Sequence, residues 1–248
     1  MTLVIEQPRT IYGQGRRSRN EDSLYPEPGR ANTGDSLFMV CDGMGGPPQG
    51  DVASRLCCTT VARYFREKHN PPATQSLVDE ALRSVFDALR DHVARHPEGA
   101  GLGTTFTFLQ LSGDSAFLAW CGDSRLYHLR EGAIHFRSRD HSLVQAMVDA
   151  GELSAPEASR HPLSNVVTRA VTADQPVQAD CHSVRPRPGD RFFLCSDGVF
   201  DAFDEEALKQ LLARPDSAAI ARELEDHCAR LCSDNYAAYL VTVARIDD

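Results

Sequence analysis

Residues Thr104 to Phe136 read TTFTFLQLSGDSAFLAWCGDSRLYHLREGAIHF. Four short runs stand out in this stretch: Thr104–Leu111, Ser115–Cys121, Arg125–Arg130 and Ala133–Phe136. All four are rich in apolar, aromatic and β-branched residues. Ser112-Gly113-Asp114, Gly122-Asp123-Ser124 and Glu131-Gly132 separate them, and these are turn residues. Successive β-rich runs joined this tightly predict an antiparallel meander. Upstream the period is helical instead. Gly50–His69 spaces Val52, Leu56, Thr60 and Tyr64 four apart, and Ser76–Arg95 carries Val78, Leu82, Val85, Leu89 and Val93 on one stripe. Asn70-Pro71-Pro72 breaks the two helices apart.

Downstream, a short helix is expected over Ser142–Ala150, followed by prolines at 156, 162, 176, 186 and 188. A loop-rich segment of this length, about 141–188, is usually functional. Arg191–Ser196 and Tyr236–Arg245 read as strands, and Ala207–Ala213 and Ser217–Cys232 as helices. Helices grouped after one strand, then strands in succession, give an α+β fold with helices packed on antiparallel sheet. No repeat or linker divides the chain, so residues 1–248 are expected to form one domain.

Composition narrows the function. The chain has 248 residues, 42% hydrophobic and 25% charged, which excludes intrinsic disorder. Lys and Arg number 26 against 35 Asp and Glu, a formal net charge of −9. A nucleic-acid partner would need a basic surface, so none is expected. Apolar runs are no longer than Tyr236–Val241, far below the roughly 20 residues that span a bilayer. The opening MTLVIEQPRT shows no signal-peptide pattern. A soluble, cytoplasmic monomer without membrane contact is expected. Of the eight cysteines, Cys41, Cys121 and Cys195 lie in apolar stretches and no CxxC pair exists. Buried structural thiols are favoured over disulfides or zinc.

Carboxylates recur where apolar runs end. Leu37–Cys41 runs into Asp42-Gly43, Phe192–Ser196 into Asp197-Gly198, and Ala116–Cys121 into Gly122-Asp123. Ser233-Asp234-Asn235 stands just before the last strand. One Asp-Gly at a strand end is commonly a turn. Four such sites need a shared cause, and convergent carboxylates are neutralised naturally by hard divalent cations. The glycines of Asp42-Gly43-Met44-Gly45-Gly46 are not a phosphate cradle, because no Lys-Ser or Lys-Thr follows. Kinase motifs and the GxSxG elbow are absent.

With these residues in view, the chain resembles the metal-dependent serine/threonine protein phosphatases of type 2C, bacterial branch. The resemblance rests on Arg17-Ser18-Arg19-Asn20-Glu21-Asp22, Asp42-Gly43-Met44-Gly45-Gly46, Gly103-Thr104-Thr105 and Gly122-Asp123-Ser124. Asp140-His141-Ser142, His161-Pro162, Ser196-Asp197-Gly198 and Asp234-Asn235 follow in order, covering nearly the whole chain. It implies a four-layer sandwich, two antiparallel β-sheets flanked by helices, with a flap beside the active site formed by the segment 141–188.

The resemblance further implies two Mn²⁺ or Mg²⁺ ions, with Asp42 bridging them and the Gly43 carbonyl on one. Asp197 and Asp234 would complete the protein ligands, and Glu21 and Asp22 would act through metal-bound water. Asp123 would hold an additional, weaker ion, and Arg17 the substrate phosphate. Phosphorylated proteins are the implied substrates and a serine/threonine kinase the implied counterpart. Arg16 and Arg19 read as solvated surface. Two departures bear on proton donation: Pro47 stands where bacterial relatives have His, and Met44 where eukaryotic ones do. His141 and His161 read as structural hydrogen-bonders. Ala237, where Thr is common, should affect packing more than chemistry. A non-catalytic binding module would have lost a core Asp, and Asp42, Asp197 and Asp234 are all present. A two-metal nuclease would want a basic groove, which the net charge opposes.

Overall fold

The structure, a computed structural model, describes residues 2–44, 49–158, 160–203 and 205–247. Gly45, Gly46, Pro47 and Pro48 lie outside the described residues, and with them the expectation of a stiffened loop at Pro47. Four strands come first: β1 (Thr2–Ile5), β2 (Arg9–Gly13), β3 (Asp22–Tyr25) and β4 (Leu37–Met44). The helices α1 (Gly50–Glu67) and α2 (Gln75–Arg95) follow. Then come β5 (Gly103–Thr104), β6 (Phe106–Ser112), β7 (Ser115–Cys121), β8 (Arg125–Arg130) and β9 (Ala133–Arg137). The next segment holds α3 (Leu143–Asp149), α4 (Ala155–Ala158), β10 (Val171–Thr172) and β11 (Asp180–Val184). β12 (Arg191–Cys195), α5 (Asp197–Asp201), α6 (Glu205–Ala213), α7 (Ser217–Leu231) and β13 (Tyr236–Asp247) complete it.

Local chemistry explains the helix ends. The Thr74 side chain accepts from Leu77 N–H at the start of α2, and Asp216 accepts from Ala218 and Ala219 N–H at the start of α7. α1 stops where His69 and Asn70 take left-handed backbone before the proline pair.

The strands form two antiparallel sheets among the described residues. One runs β10-β5-β4-β6-β7-β11 with β3 on β4; the other runs β1-β13-β12-β8-β9 with β2 on β13. The expected meander is therefore corrected. β6–β7 and β8–β9 are hairpins, but β7 and β8 belong to different sheets. The chain crosses between sheets at Gly122–Ser124 rather than turning back. Gly122 makes this possible: its φ is +109°, and a Cβ there would lie 2.7 Å from Thr105 Cγ2. A hairpin turn and a sheet-to-sheet crossing use the same residue types, so composition does not separate them.

Three cores stack between four layers. Cys57, Val61, Phe65, Leu82, Leu89 and Phe108 fill the space between α1/α2 and the first sheet. Phe38, Val40, Leu118, Phe192, Leu194 and Tyr239 join the two sheets. Phe193, Tyr127, Leu208, Leu211, Leu224 and Leu240 join the second sheet to α6 and α7. Phe192 and Leu194 point one way from β12 and Phe193 the other, as the two-residue period requires. This is the sandwich implied by the resemblance. All eight cysteines are free thiols, seven of them buried, as expected. Ala237 is fully buried between the sheets, a packing position.

One buried ionic knot far from the carboxylate series holds the second sheet. Asp190, 1% exposed, accepts from His128 Nε2 (2.9 Å), Arg130 Nε (2.8 Å) and Nη2 (2.7 Å), and Arg187 N–H (2.9 Å). Burial pushes its carboxyl up, but these donors outweigh that and hold it below the ordinary value. Its stabilising contribution is thus present above the unfolded-state value and is lost as pH falls through the folded one. Asp190→Ala leaves an arginine and a histidine uncompensated, and is expected to cost about 3 kcal/mol in urea unfolding.

Candidate functional site

The apolar pattern of β4 buries Leu37 to Cys41 and carries Asp42 to the sheet's end, where the strand meets β3. Asp22 and Asp42 are direct cross-strand partners in that register. Asp197 opens α5 just after β12, Asp123 lies in the crossing between sheets, and Asp234 precedes β13. Ends of strands from both sheets therefore meet at one edge of the sandwich.

The carboxyls are close enough to perturb one another. Burial pushes Asp42 well above the ordinary carboxylate value, and Asp197, Asp22 and Asp123 add to it. Asp42 and Asp197 act directly on each other's carboxyl. Burial also raises Asp197, with Asp234 contributing. Asp22 is pushed up to about 8, chiefly by burial, against a 2.7 Å bond from Ser196 Oγ that favours its charged form. Its other oxygen, Oδ1, is buried with no partner among the described residues. Asp123, 8% exposed, is pushed up to about 7 by burial, then by Asp197 and Asp140. Burial raises Glu21 too, and Asp51 adds to it.

Asp234 stands differently. Its Oδ2 accepts from Arg17 Nη2 at 2.5 Å, and its Oδ1 from Asn235 N–H at 2.8 Å. Among the described residues, no three His, Cys, Asp or Glu side chains close on a single point as a ready-made metal cage. The structure thus gathers Asp22, Asp42, Asp123 and Asp197 into one cluster. It places Asp234 at the cluster's rim, held by Arg17. Arg16 turns away to the Arg230 carbonyl (3.4 Å), and Arg19 is exposed.

The backbone around Asp42 is fixed from several sides. Thr105 Oγ1 accepts from Asp42 N–H (2.8 Å), while Thr105 N–H and Thr104 Oγ1 donate to the Asp42 carbonyl (2.8 and 2.9 Å). Gly43 has no room for a side chain: a Cβ there would lie 2.1 Å from the Gly50 carbonyl oxygen. Asn235 ties the N-terminal loop to this edge. Its Nδ2 donates to the Gln14 and Arg19 carbonyls and its Oδ1 accepts from Glu21 N–H. The arms of Asn235 and Ser196, and Asp51 beside Glu21, carry no role in the sequence reading. Their nearest signal was position: each adjoins or lies near a residue of the carboxylate series.

Both histidine readings fit their surroundings. His141 Nδ1 accepts from Gly122 N–H (3.0 Å), and its Nε2 meets Asp180 and Arg169. His161 Nδ1 accepts from Leu163 N–H (3.2 Å). Arg125, which follows the Asp123 turn, makes a forked pair with Asp140 and lies 3.6 Å over the Phe200 ring.

Chemically, such a cluster can do one thing well. Buried carboxylates that cannot all stay ionised together call for a cation. The donors are all oxygen, which suits Mn²⁺ or Mg²⁺ and not zinc. The orphaned Asp22 Oδ1 is a further sign that this edge is built for a group that supplies positive charge or water.

A family model for protein phosphatase 2C matches residues 14–228. The serine/threonine protein phosphatase PstP of Mycobacterium tuberculosis is 34% identical over 208 residues, 84% of this chain. The chain spans only 39% of that relative's length. The crystal structure of the Mycobacterium tuberculosis serine/threonine phosphatase PstP superposes with a TM-score of 0.87 at 31% identity, covering 98% of this chain and 100% of that one. A second structure, the PstP catalytic domain in complex with two manganese ions, gives a TM-score of 0.84 at 31% identity, covering 98% and 100%.

Proposed function

Because the chain belongs to the protein phosphatase 2C family, we propose that it hydrolyses phosphoserine and phosphothreonine in proteins with two divalent cations. The observation that carries this reading is the buried Asp22–Asp42–Asp123–Asp197 cluster with Arg17 and Asp234 at its rim. Asp42 would hold both ions, the Gly43 carbonyl one of them, and Asp197 and Asp234 would complete the protein ligands. Asp123 would hold a further, weaker ion, and Glu21 and Asp22 would act through water. When bound, such ions acidify a water and offset the charge that builds on the phosphoryl oxygens.

The chain's own residues orient the reactants. Arg17 leaves Asp234 and turns its fork to the substrate phosphate, where two parallel donors fix the phosphoryl group. Thr104 and Thr105 keep Asp42 from shifting as charge moves. His141 is committed to Gly122, Asp180 and Arg169, which leaves solvent water or His161 to supply the proton to the leaving oxygen.

We read residues 1–248 as one catalytic domain with a flap segment at about 141–188; the three cores support the single domain, and through Val171, Ala179, β10 and β11 the later part of that segment is tied to the first sheet. No helix among the described residues is long and apolar enough to cross a membrane. A cytoplasmic signalling role opposite a serine/threonine kinase, as a monomer, with Mn²⁺ or Mg²⁺, completes the proposal. The test is phosphate release from a phosphothreonine peptide by purified protein in Mn²⁺, in Mg²⁺ and in excess chelator. Turnover only with added cation is expected, and full turnover in chelator would overturn the two-cation reading.

Arg17→Ala should damage phosphate binding more than metal binding. Loss of a charge-assisted bond of this kind costs about 1.5–3 kcal/mol, or roughly tenfold to a little over a hundredfold in kcat/KM. Most of it should appear in KM, and Arg17→Lys should recover part, restoring charge but not the fork. Arg19→Ala is the control, expected to change little. Kinetics showing the reverse pattern would mean that Arg19 is the phosphate ligand.

A further inference from the structure

Away from the carboxylate edge, α1 and α2 leave a groove of about 390 Å³ between them. Its walls present Arg63 and Arg66 from α1, and Asp91, His92 and Arg95 from α2, over the small side chain of Ala88. Arg63 reaches Glu67 only at 4.0 Å and is 57% exposed. Arg95 Nε donates to a backbone carbonyl, that of Asp91. Neither Arg66 nor Arg95 has a carboxylate within ion-pair distance among the described residues. Three arginines against one aspartate thus line a concavity on a chain whose net charge is −9.

The groove also points toward the carboxylate edge. His92 Nε2 lies 2.8 Å from Gln49 Oε1, and Gln49 caps α1 immediately before Gly50, which packs on Gly43. An anionic segment lying in the groove would leave the residues next to it in the partner's chain near the Asp42 edge.

We propose that this groove docks an acidic segment of the phosphoprotein substrate, separate from the site that holds the phosphoryl group. The claim rests on the phosphatase reading for its occupant's identity. Its physical basis is charge complementarity: on a chain of net charge −9, this concavity presents three arginines to one aspartate.

The test uses the full chain and a fluorescently labelled peptide of alternating Asp and Glu, followed by anisotropy. A second arm compares KM for a phosphothreonine peptide with and without an acidic extension, and a third measures hydrolysis of a small aryl phosphate. The Arg66→Glu/Arg95→Glu double variant is compared with Arg222→Glu/Arg230→Glu, which changes net charge equally on α7. Wild-type protein should bind the peptide with strong salt dependence. The groove variant should weaken binding roughly tenfold or more and raise KM only for the extended substrate. Aryl phosphate hydrolysis should stay unchanged in both variants. Equal loss in the α7 control, or no loss in the groove variant, would overturn the proposal. Tighter, reversal-sensitive binding of a single-stranded oligonucleotide would overturn it too, by giving the groove another occupant. Absence of aryl phosphate hydrolysis in the wild type would instead defeat the phosphatase reading, and the anisotropy arm would still report on the groove.

Discussion

Asp42→Asn is expected to lower kcat by about a thousandfold or more, because a ligand shared by two cations serves both positioning and charge stabilisation. The fold should survive. Asn keeps the side-chain shape, and the bonds that fix this position run through the backbone of Asp42 to Thr104 and Thr105. Within the cation-free protein the change removes one member of a repelling group with Asp22, Asp123 and Asp197. The variant without metal should therefore melt at or above the wild-type temperature. With Mn²⁺ the order reverses, since the variant gains less from the ion. Residual activity near a tenth of wild type, or unchanged stabilisation by Mn²⁺, would show that Asp42 is not the shared ligand. Asp123→Asn gives the contrast: partial activity with a raised metal requirement.

How much of this could be read in advance depends on how local the signal is. β7 and β8 match the expected Ser115–Cys121 and Arg125–Arg130, because turn residues bracket each run. α1 and α2 lie within two residues of their expected ends, since long amphipathic stripes average out local noise. The short strands β1, β2 and β3 carry no such stripe, and β1 and β2 owe their existence to pairing with β13, more than two hundred residues away. β10 and β11 were hidden for the same reason inside a proline-rich segment.

The site divides along the same line. Asp42, Asp123, Asp197 and Asp234 are legible from their own strand ends and the glycine or asparagine beside each, whereas Glu21 and Asp22 come only from the resemblance. What the sequence did not show is who faces whom. Arg17 rests on Asp234, Asn235 reaches both Gln14 and Arg19, and Ser196 bonds Asp22. Each of these pairs joins opposite ends of the chain. The resemblance supplied roles for the residues, and only the fold supplied their resting partners.

Chelation should abolish turnover and also change how stability depends on pH. Without cations, Asp123 is pushed up to about 7 and Asp22 to about 8, both chiefly by burial. A carboxyl whose folded value lies above its unfolded one binds its proton more tightly when folded. Its contribution to stability is complete below the unfolded value, near 3.8, and is lost as pH rises through the folded value. The metal-free protein should thus lose stability steadily between about pH 4 and about pH 8. A tenfold change in proton affinity corresponds to about 1.4 kcal/mol, so two carboxyls moved this far weigh heavily against a domain's total. Cations replace those protons, and a ligand at a hundred times its Kd adds about 2.7 kcal/mol. Melting temperatures in chelator should therefore fall across that range, while those in Mn²⁺ hold level or rise. The gap between the two curves should widen toward alkaline pH, and Asp123→Asn should narrow it. Asp190 does not blur the comparison, because its lowered value confines its effect to more acid conditions. Parallel curves in chelator and Mn²⁺ would mean that cations do not bind at the carboxylate edge. Stability rising with pH in chelator would mean that the cluster is not the buried, proton-retaining group described here.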